Sequence, residues 1–260
     1  MSAPHEPGPL AGGNEDPAGE SRATTVPATG AKGETERVEL DRAAQTVSRR
    51  MAEAKATVPH IYLRTEIDVS RASEVRAAFS AAAAEGEPVP TLRDMLVKSV
   101  ALALRDHPRA NGSYRDGGLE LYSRVNVGFA VFAADALVVP TIADADQLSL
   151  AEIATESKRL GDQVRSGQIT AAGLSGGTFT IVDLGGFGVR DFDPVIHGGQ
   201  AATLGVGEVA ERPVVREGAL VPAHVMEVSL ACDHRILYGA EAAGFLAGIR
   251  LNLEEPDRIA

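Results

Sequence analysis

Val228-Ser-Leu-Ala-Cys-Asp-His-Arg-Ile-Leu-Tyr-Gly-Ala-Glu-Ala-Ala-Gly-Phe-Leu246 reads as a strand ending in His234, a turn at Gly239 and then a helix. A histidine at a strand end, just before a turn, is held rigidly and can still face a channel. Asp233 and Arg235 on either side can be pinned by ion pairs. A general base needs this combination of fixed geometry and access. One histidine alone would equally suit a core residue satisfied by backbone hydrogen bonds, so the surrounding chain has to decide.

Upstream of this block, strands and helices are interleaved irregularly. DRAAQTVSRRMAEAK, from Asp41 to Lys55, places Ala43, Val47, Met51 and Ala54 on one helical face, with Asp41 available as a cap and Pro59 as a stop. HIYLRTEIDV, from His60 to Val69, alternates as a strand. Helices are expected over Ser70–Ala84, Thr91–His107 and Leu150–Ser166, and a last one over Ala240–Leu253. Strands are expected around Leu119–Leu121, Asn126–Phe132, Leu137–Ile142, Gly177–Leu184, Gln200–Val206 and Val225–Ala231, with a turn at Ala134-Asp135. This order fits an α/β sandwich with a mixed β-sheet better than a doubly wound parallel fold. No G-x-G-x-x-G or P-loop is present, and Gly185-Gly-Phe-Gly188 reads as a bent loop rather than a phosphate cradle.

Residues 1–36 differ in kind. They are rich in Ala, Gly, Pro, Thr and Glu and lack apolar periodicity, so a disordered tail or linker is expected, with a folded domain over 37–260. Across all 260 residues, 44% are hydrophobic, enough for a core, but only 4% are aromatic. Lys+Arg 25 against Asp+Glu 36 gives a net charge of −11, which argues against nucleic acid and anionic membranes as partners. The single cysteine, Cys232, excludes an intrachain disulfide. No metal-ligand spacing is found among the histidines. With no apolar run near membrane-spanning length and no signal pattern, a cytoplasmic protein is expected.

Five blocks now carry a resemblance. They are RAAQTVSRRMAEAK from Arg42 with VPHIYL ending at Leu63; LVKSVALALRDHPRAN from Leu96; VNVGFAV through DALVVPTIADAD between Val125 and Asp146; SGGTFTIVDLGGFGV from Ser175; and the His234 block. In this order and at these spacings they resemble the catalytic domain of the dihydrolipoyl acyltransferases of 2-oxo acid dehydrogenase complexes. That family shares a fold and a histidine-centred mechanism with chloramphenicol acetyltransferase. The resemblance implies a trimeric two-layer sandwich whose active site lies in a channel between subunits. CoA would enter from one side and a dihydrolipoyl arm, supplied by another protein, from the other. No metal is implied. His234 takes the place of the base that removes the thiol proton, and a hydroxyl donor stabilises the tetrahedral oxyanion.

Two positions depart from the family pattern. D-H-R-x-x-D/N-G-A becomes D-H-R-I-L-Y-G-A, so Tyr238 replaces Asp or Asn before Gly239. Val182 stands where the family has Ser or Thr as oxyanion donor, and loss of one such donor typically costs about 10²–10³ in rate. Thr180, two residues earlier on the same strand face, lies too far along the strand to replace it cleanly. The Tyr238 hydroxyl is a candidate substitute donor. The expected site therefore comprises His234 and Tyr238 as catalytic residues, surrounded by Thr180, Val182, Asp183, Cys232, Asp233, Arg235 and Gly239. Cys232 reads as a buried free thiol rather than an acyl carrier. Arg49 and Arg50 read as structural ion-pair partners, with CoA phosphates as the alternative.

None of the four lysines, Lys32, Lys55, Lys98 and Lys158, lies in a D-K-A hairpin, so no lipoyl domain is read here. The chain ends without a longer apolar tail, which favours an isolated trimer. The leading expectation is acyl transfer between a carrier thiol and CoA, with an acyl carrier protein as a variant acceptor. The contrasting expectation is a trimeric scaffold of a 2-oxo acid dehydrogenase-like complex, its chemistry reduced at Val182 and Tyr238.

Overall fold

The computed structural model describes residues 24–26, 35–84, 87–133 and 136–259. The turn expected at Ala134-Asp135 and most of the expected tail lie outside them. The chain divides into two compact units, Met1–Val47 and Ser48–Ala260. The division falls past the boundary expected at residue 36. In the first unit, β1 (Thr24–Val26) pairs antiparallel with β2 (Thr35–Arg37), and α1 (Arg42–Thr57) begins. Asp41 caps that helix as its sequence suggests, accepting the Ala44 N–H at 2.7 Å.

The second unit continues α1 and adds β3 (His60–Asp68), α2 (Ser70–Ala82), α3 (Leu92–Asp106), β4 (Gly112–Arg115) and β5 (Gly118–Leu121). Next come β6 (Val127–Phe129), β7 (Val131–Ala133), β8 (Ala136–Val138), β9 (Thr141–Ile142) and α4 (Leu150–Arg165). β10 (Phe179–Asp183), β11 (Ala202–Arg216), β12 (Ala219–Asp233) and α5 (Gly239–Glu254) complete it. Six strands form one sheet in the order β3-β12-β11-β10-β6-β9. β10 runs parallel to both neighbours, and the other pairs are antiparallel, so the sheet is mixed as expected.

Period-2 alternation gives the sheet two unlike faces. Ile67, Leu204, Val228 and Leu230 point into the core, where α3 brings Met95, Val100 and Leu104 and α5 brings Phe245, Ile249 and Leu253. Phe179 of β10 meets Phe245 edge-on at 5.6 Å. The other face carries Arg64, Glu66 and Glu227, with Ser229 donating to the Phe192 carbonyl of the chain crossing above it. Thr180, Val182, Thr203 and Gly205 share that face by register.

Two helices are capped more firmly than the sequence reading anticipated. Thr91 and Asp94 form a reciprocal capping box on α3, and Ser149 with Glu152 does so on α4. Strand lengths are where expectation and structure differ most. β11 and β12 each run for 15 residues, whereas only Gln200–Val206 and Val225–Ala231 read as strand. Pro213 and Pro222 look like strand breakers, yet they face each other across the distal ribbon, where each strand has only one neighbour. Glu217 (φ 52) and Gly218 (φ 82) both adopt positive φ, the two-residue turn that closes a tight hairpin. β4 was also missed, because Gly112-Ser-Tyr-Arg115 has no alternation to detect.

Gly185-Gly-Phe-Gly188 is a bent loop, as expected. It forms one 3-10 turn and ends with Gly188 at φ +72. A Cβ on Gly185 would lie 2.5 Å from the Gly207 carbonyl oxygen, and one on Gly207 would lie 1.9 Å from that of Arg190. Gly207 sits at the irregularity where β11 shifts register between Val206 and Val209. Three backbone segments therefore cross in van der Waals contact beside the end of β10.

Candidate functional site

β12 ends at Asp233, and the next residues fold into a turn. The Asp233 carbonyl accepts from Ile236 N–H and Leu237 N–H, both at 2.9 Å. Ile236 and Leu237 are buried and anchor the turn from below. Asp233, only 2% exposed, donates its N–H to the Ala201 carbonyl at 2.9 Å. Three donors of Arg235 bond its carboxylate: the backbone N–H at 3.0 Å, Nε at 2.9 and 3.2 Å to the two oxygens, and Nη2 at 2.7 Å. The guanidinium then lies over the Tyr114 ring at 4.1 Å. The predicted flanking ion pair is therefore made between the two flanks themselves.

His234 and Arg235 are the exposed residues of this turn, and of the two only Arg235 is paired through its side chain among the described residues. The His234 N–H donates to the Pro59 carbonyl at 3.0 Å, which fixes its backbone from the α1–β3 connection. Its ring meets the Tyr238 ring edge-on, 5.7 Å between centroids and 71° between planes. The ring is thus held at its base and open to solvent at its tip. Tyr238, 52% exposed, immediately precedes α5, and Gly239 is that helix's first residue. Aspartate or asparagine here would cap the helix, whereas the tyrosine side chain makes no capping bond. Glu241 supplies the other half of the motif by accepting the Tyr238 N–H at 3.4 Å.

Cys232 pairs with Ala202 and Ile61 and is 0% exposed. Burial, then the neighbouring Asp233 charge, pushes its thiol up to about 12. A thiol so protonated at neutral pH is a poor nucleophile, in keeping with the buried-thiol reading.

The β10 residues lie elsewhere. Thr180 is buried opposite Thr203, and its Oγ1 has no partner among the described residues. Val182 is half-buried opposite Gly205, which in turn faces Ser229. Val182 is therefore two strands from β12 and five residues short of His234, a separation of roughly 20 Å at ~3.4 Å per residue and ~4.8 Å per strand. Asp183 accepts from Gly185 N–H at 2.9 Å and from Arg93 at 3.4 Å. One chain does not bring the two predicted halves of the site together.

A cleft of about 650 Å³ has the Asp233–Arg235 pair in its wall. Tyr114, Arg50, His197 and Gln200 also line it. Burial, then the Arg50 charge, holds the His197 imidazole below its ordinary 6.5. Sequence spacing gave no reason to single out His197, since it joins the cleft only through the fold. Neither Arg49 nor Arg50 forms an ion pair among the described residues, contrary to the structural role expected for them. Burial of Gln200 Oε1 without a partner has no physical account in the contacts around it.

Residues 32–260 match the family described as 2-oxoacid dehydrogenases acyltransferase (catalytic domain). The chain belongs to this family. Among curated members, it is 36% identical to the dihydrolipoyllysine-residue acetyltransferase component of the pyruvate dehydrogenase complex of Rhizobium meliloti, over 95% of this chain and 59% of that one. It is 33% identical to the dihydrolipoyllysine-residue succinyltransferase component of the 2-oxoglutarate dehydrogenase complex of Bartonella vinsonii, over 86% of this chain and 55% of that one. The chain thus spans somewhat over half the length of these relatives. Among solved family members, the dihydrolipoamide acetyltransferase of Azotobacter vinelandii superposes with a TM-score of 0.84 at 31% identity, covering 90% of this chain and 98% of the other. The roles of a serine, a histidine and an asparagine in that enzyme's catalytic mechanism have been investigated, and those residues stand 52 and 4 positions apart. Val182, His234 and Tyr238 are spaced 52 and 4 apart as well. No described helix is long and apolar enough to cross a membrane.

Proposed function

We propose that residues 37–260 form an acyltransferase domain that moves an acyl group between a dihydrolipoyl or other carrier thiol and CoA, with His234 as general base. The observation that carries this reading is the exposed His234 ring on a turn whose other residues are buried or paired. The imidazole removes the proton from the incoming thiol. The thiolate sulfur forms a bond to the thioester carbonyl carbon, and the carbonyl pair moves to oxygen. When the intermediate collapses, the carbon–sulfur bond to the leaving thiol breaks, and that thiolate recovers the proton from the imidazolium. A positioned general base accelerates such a step by about 10²–10⁴.

The roughly 20 Å between Val182 and His234 supports assembly as a homotrimer, in which a neighbour's β10 end completes each site. Val182 has no donor to offer the oxyanion. Tyr238, whose ring touches His234 and whose hydroxyl has no partner among the described residues, is the candidate replacement. The lipoyl-bearing or acyl carrier protein and the 2-oxo acid dehydrogenase component are partners on this reading, in the cytoplasm. Its relatives include both acetyl and succinyl transferases, so no single acyl group is favoured.

Val182 also favours a second reading, a trimeric scaffold with reduced chemistry. Transfer from acetyl- and succinyl-dihydrolipoamide to CoA, in wild type and His234→Ala, separates the two. A loss of about 10²–10⁴ in the variant is expected for the enzyme. Equal rates, or none from either protein, would establish the scaffold.

A further inference from the structure

Arg109 stands in the single 3-10 turn Pro108–Ala110 that follows α3, and nothing in the sequence singles it out. Its side chain reaches across to the His234 turn and grips it at three points. Nε and Nη2 both donate to the Ile236 carbonyl, at 3.1 and 2.7 Å. Nη1 lies 3.4 Å from Glu241 Oε1 in the first turn of α5. The guanidinium carbon sits 5.4 Å from the centre of the Tyr238 ring. The same ring is in edge contact with the His234 imidazole, 5.7 Å between centroids. The phenol ring thus lies between the guanidinium on one contact and the edge-on imidazole on another, and the same guanidinium ties the turn to the helix beyond.

We propose that Arg109 is a positioning residue for His234 and acts through Tyr238. This rests on the reading of His234 as the base. With Tyr238 in place of a capping Asp or Asn, the segment between the histidine and α5 loses its local side-chain anchor, and Arg109 restores one from a different element. The ring orientation matters because Tyr238 is half exposed and its hydroxyl has no hydrogen-bond partner among the described residues. A planar guanidinium can satisfy the Ile236 carbonyl with two parallel donors while stacking on the phenol. A lysine ammonium cannot do both. The group therefore fixes the plane against which the imidazole rests, and with it the direction in which the ring's free nitrogen points.

The test is a double-mutant cycle with a spectroscopic arm. Arg109→Gln is expected to lower kcat for acyl transfer about tenfold with KM little changed, because misplacing a reacting group costs rate rather than affinity. Arg109→Lys, the charge-preserving variant, is expected not to rescue it. In a Tyr238→Leu background, Arg109→Gln should change kcat less than about twofold, since the mediating ring is already gone. An equal loss in both backgrounds would overturn the proposal. Independently of turnover, the His234 ring proton resonances should shift in Arg109→Gln and in Tyr238→Leu, since both displace the neighbouring ring. Unmoved resonances in folded variants refute positioning even if activity falls. Shifted resonances in an inactive wild type uphold positioning and reject the transferase reading. Should Arg109→Gln not fold, Arg109→Lys carries the same comparison.

Discussion

β10 and β12 belong to the same sheet, and both end beside a turn that carries an acidic residue. At the end of β12, Asp233 is enclosed and bonded by three donors of Arg235. At the end of β10, Asp183 is half-buried, with one backbone donor and an arginine 3.4 Å away. The β12 end presents an exposed imidazole on a fixed turn. The β10 end has a backbone crossing, with Gly185 and Gly207 packed main chain to main chain, and presents a methyl-bearing side chain at the spacing where the Azotobacter enzyme has a serine. The β10 end is held by close main-chain packing, and the β12 end by hydrogen bonds to a buried carboxylate. Close main-chain packing constrains the fold whatever the reaction, whereas a hydroxyl is free to disappear once the chemistry no longer depends on it.

The largest expected effect comes from restoring the missing chemistry. Val182→Ser returns a donor to the β10 end without changing the strand. If the oxyanion is under-stabilised, kcat for acyl transfer to CoA should rise by up to about 10². An unchanged rate in a folded variant would mean that another donor, with Tyr238 foremost, already serves. Tyr238→Phe with Val182 left in place then separates those cases, because its rate should fall only if the phenol was serving.

The second effect is on stability, and the comparison predicts an asymmetry. Asp233→Ala leaves the Arg235 N–H and two guanidinium donors without their acceptor next to the buried turn, a cost of roughly 1–3 kcal/mol. Asp183→Ala removes a partly exposed carboxylate whose arginine can turn to water, and should cost about 1 kcal/mol or less. Paired denaturant titrations measure both. Equal losses would show that the two turns are equally secured and would remove the basis for the contrast.

How much of this was legible beforehand follows the same division. The His234 turn and its Asp233 and Arg235 flanks could be read because their meaning lies within a few consecutive residues. The mixed sheet followed from the irregular interleaving of elements, and Asp41 was recognisable as a cap by its place before a helical run. The distal hairpin was not legible, because Pro213 and Pro222 become acceptable only when they face each other on a two-stranded ribbon. Arg109 and His197 were equally hidden. Each reaches its neighbours across the fold from a stretch with no local pattern, so only the tertiary arrangement gives it a role.

The smallest expected effect concerns His197, at the cleft that has the Asp233–Arg235 pair in its wall. Burial and Arg50 hold its folded-state pKa below 6.5. Above about pH 6.5 the ring is neutral in both folded and unfolded chains and contributes no pH dependence. As the pH falls below that value, the unfolded chain takes up a proton the folded chain resists, so stability declines with acid over the interval between the two pKa values. His197→Gln should remove this part of the slope below about pH 6.5 while leaving stability at pH 8 nearly unchanged. The measurement is a set of denaturant midpoints across that range for both proteins. Parallel curves would show that the imidazole accepts its proton as readily inside the fold as outside, and that the cleft is wetter than its lining implies. A flattened curve would mark His197 as the group that makes this side of the turn acid-sensitive, in contrast to the β10 end, where no histidine lies within the strand or its bent loop.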